Sequence, residues 1–476
     1  MQEFDVIVIG GGPAGLVASK FLVAFGKKVA LVEREKLGGD CTHSGCIPSK
    51  TLLKSAKAYH DAKKISAYGL KGDIDIDTSG VLLHVRNVVA SVYAGETPEV
   101  FEAAGVHIIK GFASFLNKNE IKVNEQTYRA SKFIIATGAR ADIPPIKGLD
   151  TVAYLSNETV FLQEKIPDSL IIIGTGAIGI EMATAFNRLG SRVTLLARGN
   201  SILKENDAQH AALLLASLLE EGVNFIANAE YIQASQDGNT KSLQIKQNGI
   251  FKTISADAIL IATGRAANTD LKLENAGVIY DKKGIKVDAY LQTTNPNIYA
   301  IGDVATPYKF THVAEMEAIK AASNIVLPLR TKISYEHIGW CIYAEPELAQ
   351  IGLTPQNAQE KYGQSVQTVT FSYKHTDRAY TDVDAKGSIK VSVLNNGKIV
   401  GASILGARAG ELIHQLQLAK TLDISFEKLS KMLYLYPTYA DIIKQPAKQF
   451  YIHKLRNNPW LKALKSIASV FTKTKS

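Results

Sequence analysis

A glycine-rich segment between an apolar strand and a helical pattern occurs twice, and no other feature restricts the fold of this chain as strongly. The glycines recur at the same spacing in both copies: Gly10, Gly12 and Gly15 in the first, Gly174, Gly176 and Gly179 in the second. The first copy follows the apolar residues 4–9, and the second follows residues 169–173. Each leads through a helical pattern into another strand, so one βαβ unit is written twice. This repeat predicts an α/β fold with two doubly wound dinucleotide-binding domains.

The chemistry of a dinucleotide explains why glycine is needed at these turns. A pyrophosphate is bulky and anionic, and it binds well at a helix N-terminus, where free N–H groups and the helix dipole meet it. Glycine lets the backbone turn tightly and approach that closely. Because each copy follows a strand and opens a helix, both are predicted to be cofactor sites rather than ordinary strand–helix turns.

The residue at the end of the second strand separates the two copies. This fingerprint places a carboxylate there to accept a hydrogen bond from a ribose 2′-hydroxyl. Glu33 occupies that place 23 residues after Gly10, whereas Ala197 and then Arg198 occupy it after Gly174. A guanidinium binds a 2′-phosphate that a carboxylate would repel. The first loop is therefore predicted to hold FAD or NAD and the second to prefer NADPH over NADH. The alternative is a solvated Arg198 beside a permissive Ala197.

Two further apolar strands end in the same small-residue turn. We take the turn residues as candidate cofactor contacts: Ala136, Thr137 and Gly138 after the first strand, and Gly264 after the second. A third strand, residues 298–301, delivers Asp303 at its end. From about residue 336 the pattern changes to alternating strands and longer helical stretches without a phosphate loop, which predicts an α+β domain.

Composition excludes several classes of protein. Of 476 residues, 46% are hydrophobic and 21% are charged, which is typical of globular chains. Eight positive charges and no acidic residue follow Asp441, so subtracting them from the net charge of +9 leaves +1 for the rest. A nearly neutral body disfavours a nucleic-acid partner. The chain has no run of 18 consecutive apolar residues, so a membrane-spanning helix is not expected. The acidic first residues do not resemble a secretory signal, and three cysteines are too few for a disulfide-built secreted protein. Both features predict a cytoplasmic protein.

Cys41 and Cys46 form a close pair in the sequence. In a regular helix, residues five apart have Cα atoms ~8.6 Å apart, and a disulfide tolerates at most ~7 Å. If the two cysteines bridge, their segment must be irregular, and Gly45 and Pro48 fit that irregularity. A redox-active pair is the reading we favour in a cytosolic chain. Two buried free thiols, or two of four zinc ligands, are the alternatives.

Two other residues near this chemistry have simpler interpretations. Cys341 lies in an apolar, strand-like run and is predicted to be a core residue. His43 stands between the two cysteines. It either tunes the thiol pair or is a helix-start residue that faces solvent, and we favour the second interpretation.

The cysteine segment carries a family resemblance. Gly39-x-Cys41-x4-Cys46-Ile-Pro-Ser-Lys50 resembles the active-site signature of the class I flavoprotein disulfide reductases, which include dihydrolipoamide dehydrogenase, glutathione reductase and mercuric reductase. The resemblance extends through both glycine loops, Asp303, and the segments 345–347 and 409–411. It implies a C-terminal dimerisation domain and these boundaries: FAD-binding domain 1–150 and 271–335, NAD(P)-binding domain 151–270, dimerisation domain 336–450, basic amphipathic tail 451–476.

The resemblance also implies roles for the site residues. FAD would be held by Gly10, Gly12, Gly15, Glu33, Lys50 and Asp303, and NAD(P)H by Gly174, Gly176 and Gly179. Cys46 resembles the thiol that makes a charge-transfer contact with flavin, and Cys41 resembles the interchange thiol that meets the substrate. Glu181 resembles the acid that pairs with the lysine beside the flavin, here Lys50. The family forms homodimers whose partner C-terminus completes the active site. Lys50 is also a nearby cation of the kind that lowers a thiol pKa.

The chain departs from its dithiol-handling relatives near the C-terminus. Their His-Pro-Thr-x-x-Glu motif supplies a histidine base, and this chain has Tyr436 and Asp441 at those two positions. A phenol with a pKa near ~10 is a poor base at neutral pH, so facile reduction of lipoamide or glutathione disulfide is not expected. Tyr436 is similar to the tyrosine of mercuric reductase, although the vicinal C-terminal cysteines of that enzyme are absent. Tyr436 is either catalytic or a packing residue at the dimer seam.

The sequence therefore predicts an NADPH-dependent FAD oxidoreductase of the mercuric reductase-like branch, with a small-molecule or metal-ion acceptor and no resident metal. Two alternatives are a dihydrolipoamide dehydrogenase-like activity and a membrane-associated NAD(P)H:quinone flavoprotein. The second rests on residues 459–471, where Trp460 and other apolar residues fall on helical spacing among lysines. Such a tail would make peripheral contact with the inner face of a membrane. A third alternative is a docking subunit without catalysis.

Overall fold

The computed structural model of the protein describes residues 1–462. Its residues form two compact units, one made of 1–200 with 221–335 and the other of 201–220 with residues from 336 onward. The strands of the chain are β1 (Gln2–Ile9), β2 (Val29–Glu33), β3 (His107–Lys110), β4 (Ala113–Asn117), β5 (Glu120–Val123), β6 (Gln126–Ile135), β7 (Ala139–Ala141), β8 (Ser169–Ile173), β9 (Arg192–Leu196), β10 (Asn224–Ile226), β11 (Glu230–Asp237), β12 (Thr240–Gln247), β13 (Ile250–Ala256), β14 (Ala258–Ile261), β15 (Arg265–Ala267), β16 (Tyr280–Asp281), β17 (Gly284–Ile285), β18 (Ile298–Ala300), β19 (Gly339–Ile342), β20 (Glu347–Gly352), β21 (Val366–Ser372), β22 (Ser388–Leu394) and β23 (Ile399–Gly406).

The helices are mostly short, and several connections are single 3₁₀ turns, including one over Gly302–Val304. The α-helices are α1 (Pro13–Ala24), α2 (Gly39–His43), α3 (Cys46–Lys63), α4 (Thr78–Tyr93), α5 (Pro98–Ala103), α6 (Ala177–Arg188), α7 (Ala208–Glu220), α8 (Thr311–Val326), α9 (Pro355–Tyr362), α10 (Asp377–Thr381), α11 (Ala409–Thr421), α12 (Phe426–Leu429) and α13 (Asp441–Asn457).

The first unit contains the two predicted nucleotide-binding sheets. In the larger sheet the order is β3-β2-β1-β6-β5-β4, and β18 pairs with β6. In the smaller sheet the order is β10-β9-β8-β14, and all of its pairs are parallel. The parallel part of the larger sheet, β3-β2-β1-β6, repeats this arrangement. The repeated βαβ unit of the sequence is therefore a repeated sheet topology, as predicted for a doubly wound fold.

The apolar run of β1 follows from burial on both faces of its sheet. Val6 and Val8 pack into a hydrophobic cluster with residues of α1 and α8. Ile7 and Ile9 pack into a different cluster with residues of β4, β5 and β6. A strand covered on both faces is apolar at every position, whereas a strand with one exposed face alternates. The same reasoning applies to the buried residues 170–173 of β8.

The second unit is built on an antiparallel sheet of order β19-β20-β23-β22-β21. Helix α7 contacts β20 and β23 of this sheet. Its buried His210 explains the attachment, because Nδ1 lies 2.7 Å from Ser403 Oγ and Nε2 lies 2.9 Å from Ser388 Oγ. Residues 201–220, which the sequence places in the NAD(P)-binding domain, thus cluster with the C-terminal α+β unit. The predicted fold class is confirmed. No helix among residues 1–462 is long and apolar enough to cross a membrane.

Candidate active site

The two glycine loops have the same backbone geometry. Gly10 and Gly174 adopt left-handed φ values of +108° and +123°. A Cβ atom at either position would collide with a backbone carbonyl, that of Ala136 in the first loop and that of Ala262 in the second. Two further glycines have the same close approach, since a Cβ at Gly15 or Gly179 would meet the carbonyl of the first glycine of its loop. Glycine is required at these places by the fold itself.

The middle glycine of each loop is different. Gly12 and Gly176 have extended backbone and nothing within 4 Å of a built Cβ. They are the N-cap residues of α1 and α6, and no side chain in the described part of the chain caps either helix. Uncapped N–H groups beside open space fit an anionic diphosphate, because a side chain added there would fill the space that the ligand needs.

This contrast gives a testable pair of substitutions in the second loop. Gly174→Ala is expected to destabilise the protein, since the new methyl group meets the Ala262 carbonyl and the φ is left-handed. Gly176→Ala is expected to leave the melting temperature unchanged and to raise the KM for NADPH at least ~10-fold, about 1.4 kcal/mol of lost binding. Thermal melts and steady-state kinetics of both variants measure these effects. A Gly176→Ala protein with an unchanged KM would contradict the assignment of this loop.

The ends of the strands that follow the glycine loops differ as the sequence predicted. At the end of β2, Glu33 Oε2 accepts a hydrogen bond of 2.6 Å from the Gly11 N–H, which places the carboxylate against the first loop. At the end of β9, Ala197 is buried and Arg198 is exposed. Arg198 lines a cavity of about 390 Å³. Its other lining residues are Pro144, Pro145, Ile146, Asn228, Ala229, Glu230 and Tyr231. No carboxylate corresponding to Glu33 stands at this strand end.

The turn at Ala136–Gly138 lies beside the first glycine loop, and the turn that ends at Gly264 lies beside the second. The Ala136 N–H donates to the Ile9 carbonyl at 2.7 Å, so the turn that follows β6 lies beside the end of β1. Thr137 is fixed by a pair of hydrogen bonds with Asn268, of 2.7 Å from its hydroxyl and 2.9 Å to its carbonyl. Gly138 and Gly264 both have positive φ, +65° and +150°. These turns lead from the larger and the smaller sheet, respectively, into the short β7–β15 ribbon.

The cysteine pair lies at a break between two helices. Cys41 is inside α2, which ends at His43, and Cys46 is the first residue of α3. Gly45 occupies the break, where a Cβ would lie 2.7 Å from the Asp40 carbonyl oxygen. Both cysteines are half-buried free thiols, and their sulfurs are hydrogen-bonded to each other. The irregular backbone brings together two side chains that a continuous helix would hold apart.

The environment separates the two thiols by acidity. The pKa of Cys46 is lowered to about 6, and the hydrogen bond from Cys41 is the largest cause. The Thr311 hydroxyl, 3.4 Å from Cys46 Sγ, and the charge of Lys50 contribute to this lowering, against burial and the charge of Glu181. The same hydrogen bond, together with burial, raises the pKa of Cys41. At neutral pH Cys46 is therefore the thiolate of the pair and Cys41 is the neutral thiol.

Lys50 lies one turn along α3 from Cys46 and contacts Glu181 of α6. The Lys50 Nζ lies 2.9 Å from Glu181 Oε2. The glutamate side chain is almost fully buried and the lysine is about one third exposed. A buried carboxylate requires such a partner. This contact joins the predicted flavin-side lysine to the predicted acid.

Asp303 lies in a charged cluster that the sequence did not predict. Arg265 forms an ion pair with Asp40 and lies 3.6 Å from Asp303 through its Nε. Burial raises the pKa of Asp303, and the charges of Arg265 and Lys309 oppose this effect. The buried Arg265 Nε has no hydrogen-bond acceptor in the described part of the chain. A donor left in this state fits a polar or anionic group of a bound cofactor.

Tyr436 lies in the second unit. Its side chain is 71% exposed, and its hydroxyl donates a hydrogen bond of 2.9 Å to Asp377 Oδ2. This hydrogen bond raises the pKa of Tyr436. A phenol with a raised pKa is a still weaker base than an ordinary tyrosine.

His43 and Cys341 are both half-buried. The expectation that His43 starts a helix and faces solvent was wrong, because it ends α2, is half-buried and contacts the Leu37 carbonyl at 2.8 Å and the Tyr93 ring. Cys341 is half-buried in β19 and packs against the core of the second unit. Among residues 1–462, no group of three or more His, Cys, Asp or Glu residues is arranged to hold a metal.

The sequence also missed Thr311 and Arg265. Neither belongs to a motif that we singled out, and each reaches the site through packing between distant segments. The only sequence signal for Arg265 is its place directly after Gly264. For Thr311 the signal is the start of an apolar helical pattern after Asp303.

Comparison with known proteins places this geometry in a family. The chain matches the model of the pyridine nucleotide-disulphide oxidoreductases over residues 4–318 and that of their dimerisation domain over residues 338–447. A mercuric reductase of Bacillus cereus is 35% identical over 446 residues, 93% of this chain and 70% of that protein. A dihydrolipoyl dehydrogenase of Thermus scotoductus is 35% identical over 461 residues, 95% of this chain and 98% of that protein.

A solved structure shares the fold. The Cu(II) complex of the HOCl-induced flavoprotein disulfide reductase RclA from Escherichia coli matches with a TM-score of 0.84 and 26% identity, over 94% of this chain and 100% of that chain. The family models together cover most of the sequence, and the 35% identical relatives extend along nearly all of it. This protein belongs to the class I pyridine nucleotide-disulphide oxidoreductase family.

Proposed function

We propose that Cys41 and Cys46 are the redox couple of this FAD-dependent disulfide oxidoreductase. We further propose that NADPH is its preferred donor and that a thiophilic metal ion or a disulfide is its acceptor. One observation carries the proposal. Two cysteines meet at a helix break with opposite shifts in acidity, and the Lys50–Glu181 ion pair lies beside them. Structural buried thiols lack such an arrangement of charges, whereas reactive ones require it.

The asymmetry of the thiols agrees with the balance of the reaction. Breaking the Cys41–Cys46 bond takes two electrons, and a hydride from the nicotinamide supplies these electrons with one proton. The products are one thiol and one thiolate. The raised pKa of Cys41 makes it the sulfur that takes the proton, and Cys46 remains the thiolate. No further acid is needed for this step.

The cofactor residues follow from the two loops. The family binds FAD and uses NAD(P)H. We assign the α1 loop, Glu33, the Ala136–Gly138 turn, Lys50 and Asp303 to FAD, and the α6 loop, Gly264 and Arg198 to NADPH. When bound, FAD takes up hydride equivalents from the nicotinamide and makes the electron pair available to a disulfide. The chain supplies uncapped helix N-termini for the two diphosphates and the Lys50 cation beside Cys46.

The class of acceptor follows from the absence of a histidine base at the position of Tyr436. Thiol exchange with a dithiol or disulfide substrate needs a base to remove a proton from the interchange thiol. The pKa of Tyr436 is raised, so this residue does not act as that base. A thiophilic metal ion displaces thiol protons without such a base, because thiolates bind soft metals strongly. The relatives named as mercuric reductase and the Cu(II) complex of RclA support a metal-ion acceptor.

An acceptor panel tests this choice. Purified enzyme with NADPH is assayed on mercuric ion, Cu(II), lipoamide, glutathione disulfide and a quinone, with NADPH oxidation as the readout. We expect the highest kcat/KM for a metal ion and at least ~100-fold lower values for the two disulfides, the usual contribution of a general base. The Tyr436→His variant should raise the disulfide rates and leave the metal rates unchanged. A quinone as the best acceptor, with Cys46→Ser still active, would overturn the proposal.

The chain carries the dimerisation domain of its family and forms a homodimer. Peripheral contact of the C-terminal segment with a membrane remains a prediction. Trp460 is 80% exposed at the start of the amphipathic segment, and residues 463–471 of that segment lie outside the described part of the chain. The cytoplasmic location, on or near the inner face of a membrane, stays a prediction in the same way.

A further inference from the structure

We propose that the Thr311 hydroxyl is a further catalytic group of this enzyme. It donates a hydrogen bond to the Cys46 sulfur and stabilises that sulfur as the thiolate of the reduced pair. This inference rests on the proposed function of Cys41 and Cys46. The observation behind it is the contact of 3.4 Å between Thr311 Oγ1 and Cys46 Sγ, two residues 265 positions apart in the sequence.

The chemistry of the contact favours one direction of the hydrogen bond. A hydroxyl is a good donor, and a thiolate accepts a hydrogen bond more strongly than a thiol does. Thr311 therefore stabilises the charged form of Cys46 more than the neutral form. Cys41 already donates to the same sulfur, so Thr311 gives Cys46 a second donor, and Cys41 remains the protonated partner.

The position of Thr311 is fixed by the helix that it begins. Thr311 is the first residue of the 16-residue α8. Glu317 of the same helix is fully buried, and its Oε2 accepts a hydrogen bond of 2.6 Å from the Gly302 N–H. Its Oε1 accepts a hydrogen bond of 2.6 Å from the Tyr335 hydroxyl. The bond from Gly302 holds α8 against the turn that carries Asp303, and the bond from Tyr335 fixes the Glu317 carboxylate. The Thr311 hydroxyl therefore reaches Cys46 from a rigid element.

The side chain and the helix end add to this effect. Threonine is β-branched, so its χ1 angle is restricted and little rotamer freedom is lost when the hydrogen bond forms. The helix begins beside a sulfur that carries negative charge, and the N-terminal end of a helix dipole stabilises an anion. The geometry therefore combines a fixed donor with a favourable dipole beside Cys46. The same hydroxyl also lowers the pKa of Cys41, but the hydrogen bond to Cys46 and burial raise the Cys41 pKa more strongly.

Thr311→Val removes the hydroxyl and keeps the shape of the side chain. Thr311→Ser keeps the hydroxyl and loses one methyl group. The matched control is Thr51→Val, because Thr51 lies on α3 near Cys46 and its hydroxyl bonds the Ile47 carbonyl at 2.8 Å instead of a sulfur. All three are made in a Cys341→Ser background, which leaves two cysteines to titrate.

The measurement is the pH midpoint of thiolate absorbance in full-length holoenzyme. The pair is reduced with a phosphine and desalted without oxygen, and the spectrum of the oxidised protein is subtracted. We expect Thr311→Val to raise the midpoint by about one pH unit, the effect of one hydrogen bond to an ionised group. Thr311→Ser and Thr51→Val should retain the parent midpoint. An unchanged midpoint in Thr311→Val, or an equal shift in Thr51→Val, overturns the inference.

Failure of this inference is distinguishable from failure of the proposed function. Reduction by a phosphine does not depend on NADPH, so the midpoint reports the contact whether or not the cysteines take part in turnover. If the pair is not the redox couple, Thr311→Val still shifts the midpoint while Cys41→Ser retains turnover. If only the Thr311 role is wrong, Cys41→Ser loses turnover and the midpoint of Thr311→Val stays in place.

Discussion

Replacing Cys41 by serine is expected to lower acceptor turnover at least ~10³-fold, the scale on which loss of a covalent participant acts. The hydroxyl of serine neither forms the bond to Cys46 nor accepts electrons from it. The same variant should still be reduced by NADPH at the flavin, because the glycine loops and the Lys50–Glu181 pair are untouched. Stopped-flow bleaching of the flavin and steady-state NADPH oxidation measure the two steps separately.

The matched control is Cys341→Ser, which removes the third cysteine of the chain. This residue lies in the second unit and packs against its core, so we expect turnover within about twofold of the parent and at most a modest loss of stability. Turnover by Cys41→Ser at the parent rate would contradict the role given to the pair. It would favour a flavoprotein that passes electrons directly to an acceptor.

Introducing a carboxylate at Ala197 is expected to lower the NADPH/NADH ratio of kcat/KM about 100-fold. Like charges placed side by side cost several kcal/mol, and ~2.7 kcal/mol corresponds to this factor. In the first loop the equivalent position is Glu33, so the same type of strand end already accommodates glutamate in this chain. Ala197→Glu should therefore exchange a site open to a 2′-phosphate for one that hydrogen-bonds a ribose hydroxyl.

Asn200→Glu is the control for charge alone. It adds the same charge to an exposed residue three positions further along, and the ratio should stay within about threefold because exposed charges are screened. Ala197 is buried, so thermal melts must show that Ala197→Glu remains folded at the assay temperature. A folded Ala197→Glu protein whose ratio equals that of the parent would show that this strand end does not select the cofactor.

The parts of the fold set by local spacing were predictable from the sequence. The glycine loops repeat a strand–turn–helix pattern whose geometry depends on neighbouring residues, and Gly10 and Gly174 indeed meet equivalent carbonyls. The break at Gly45 was predictable on the condition that the two cysteines bridge, since a disulfide is incompatible with a continuous helix. The Lys50–Glu181 contact was expected only through resemblance, because nothing local connects residues 131 positions apart.

The parts that depend on packing were not predictable. Thr311 reaches Cys46 from the start of α8, a helix that Glu317 holds against the Gly302 turn. His43 was misjudged because the rotation of the short α2 decides which side chain faces the interior, and five residues carry too little periodicity to show it. The attachment of α7 to the C-terminal sheet depends on the buried His210 and its two serine partners, which are far apart in the sequence.

The most direct test of the central claim is a count of free thiols before and after reduction by NADPH. The air-oxidised holoenzyme is denatured with and without prior anaerobic incubation with NADPH, and thiols are titrated at once. The chain has three cysteines, so the account predicts one free thiol before NADPH, from Cys341, and three after it. Three free thiols in both samples, or one in both, would contradict the proposal that NADPH reduces a bond between Cys41 and Cys46.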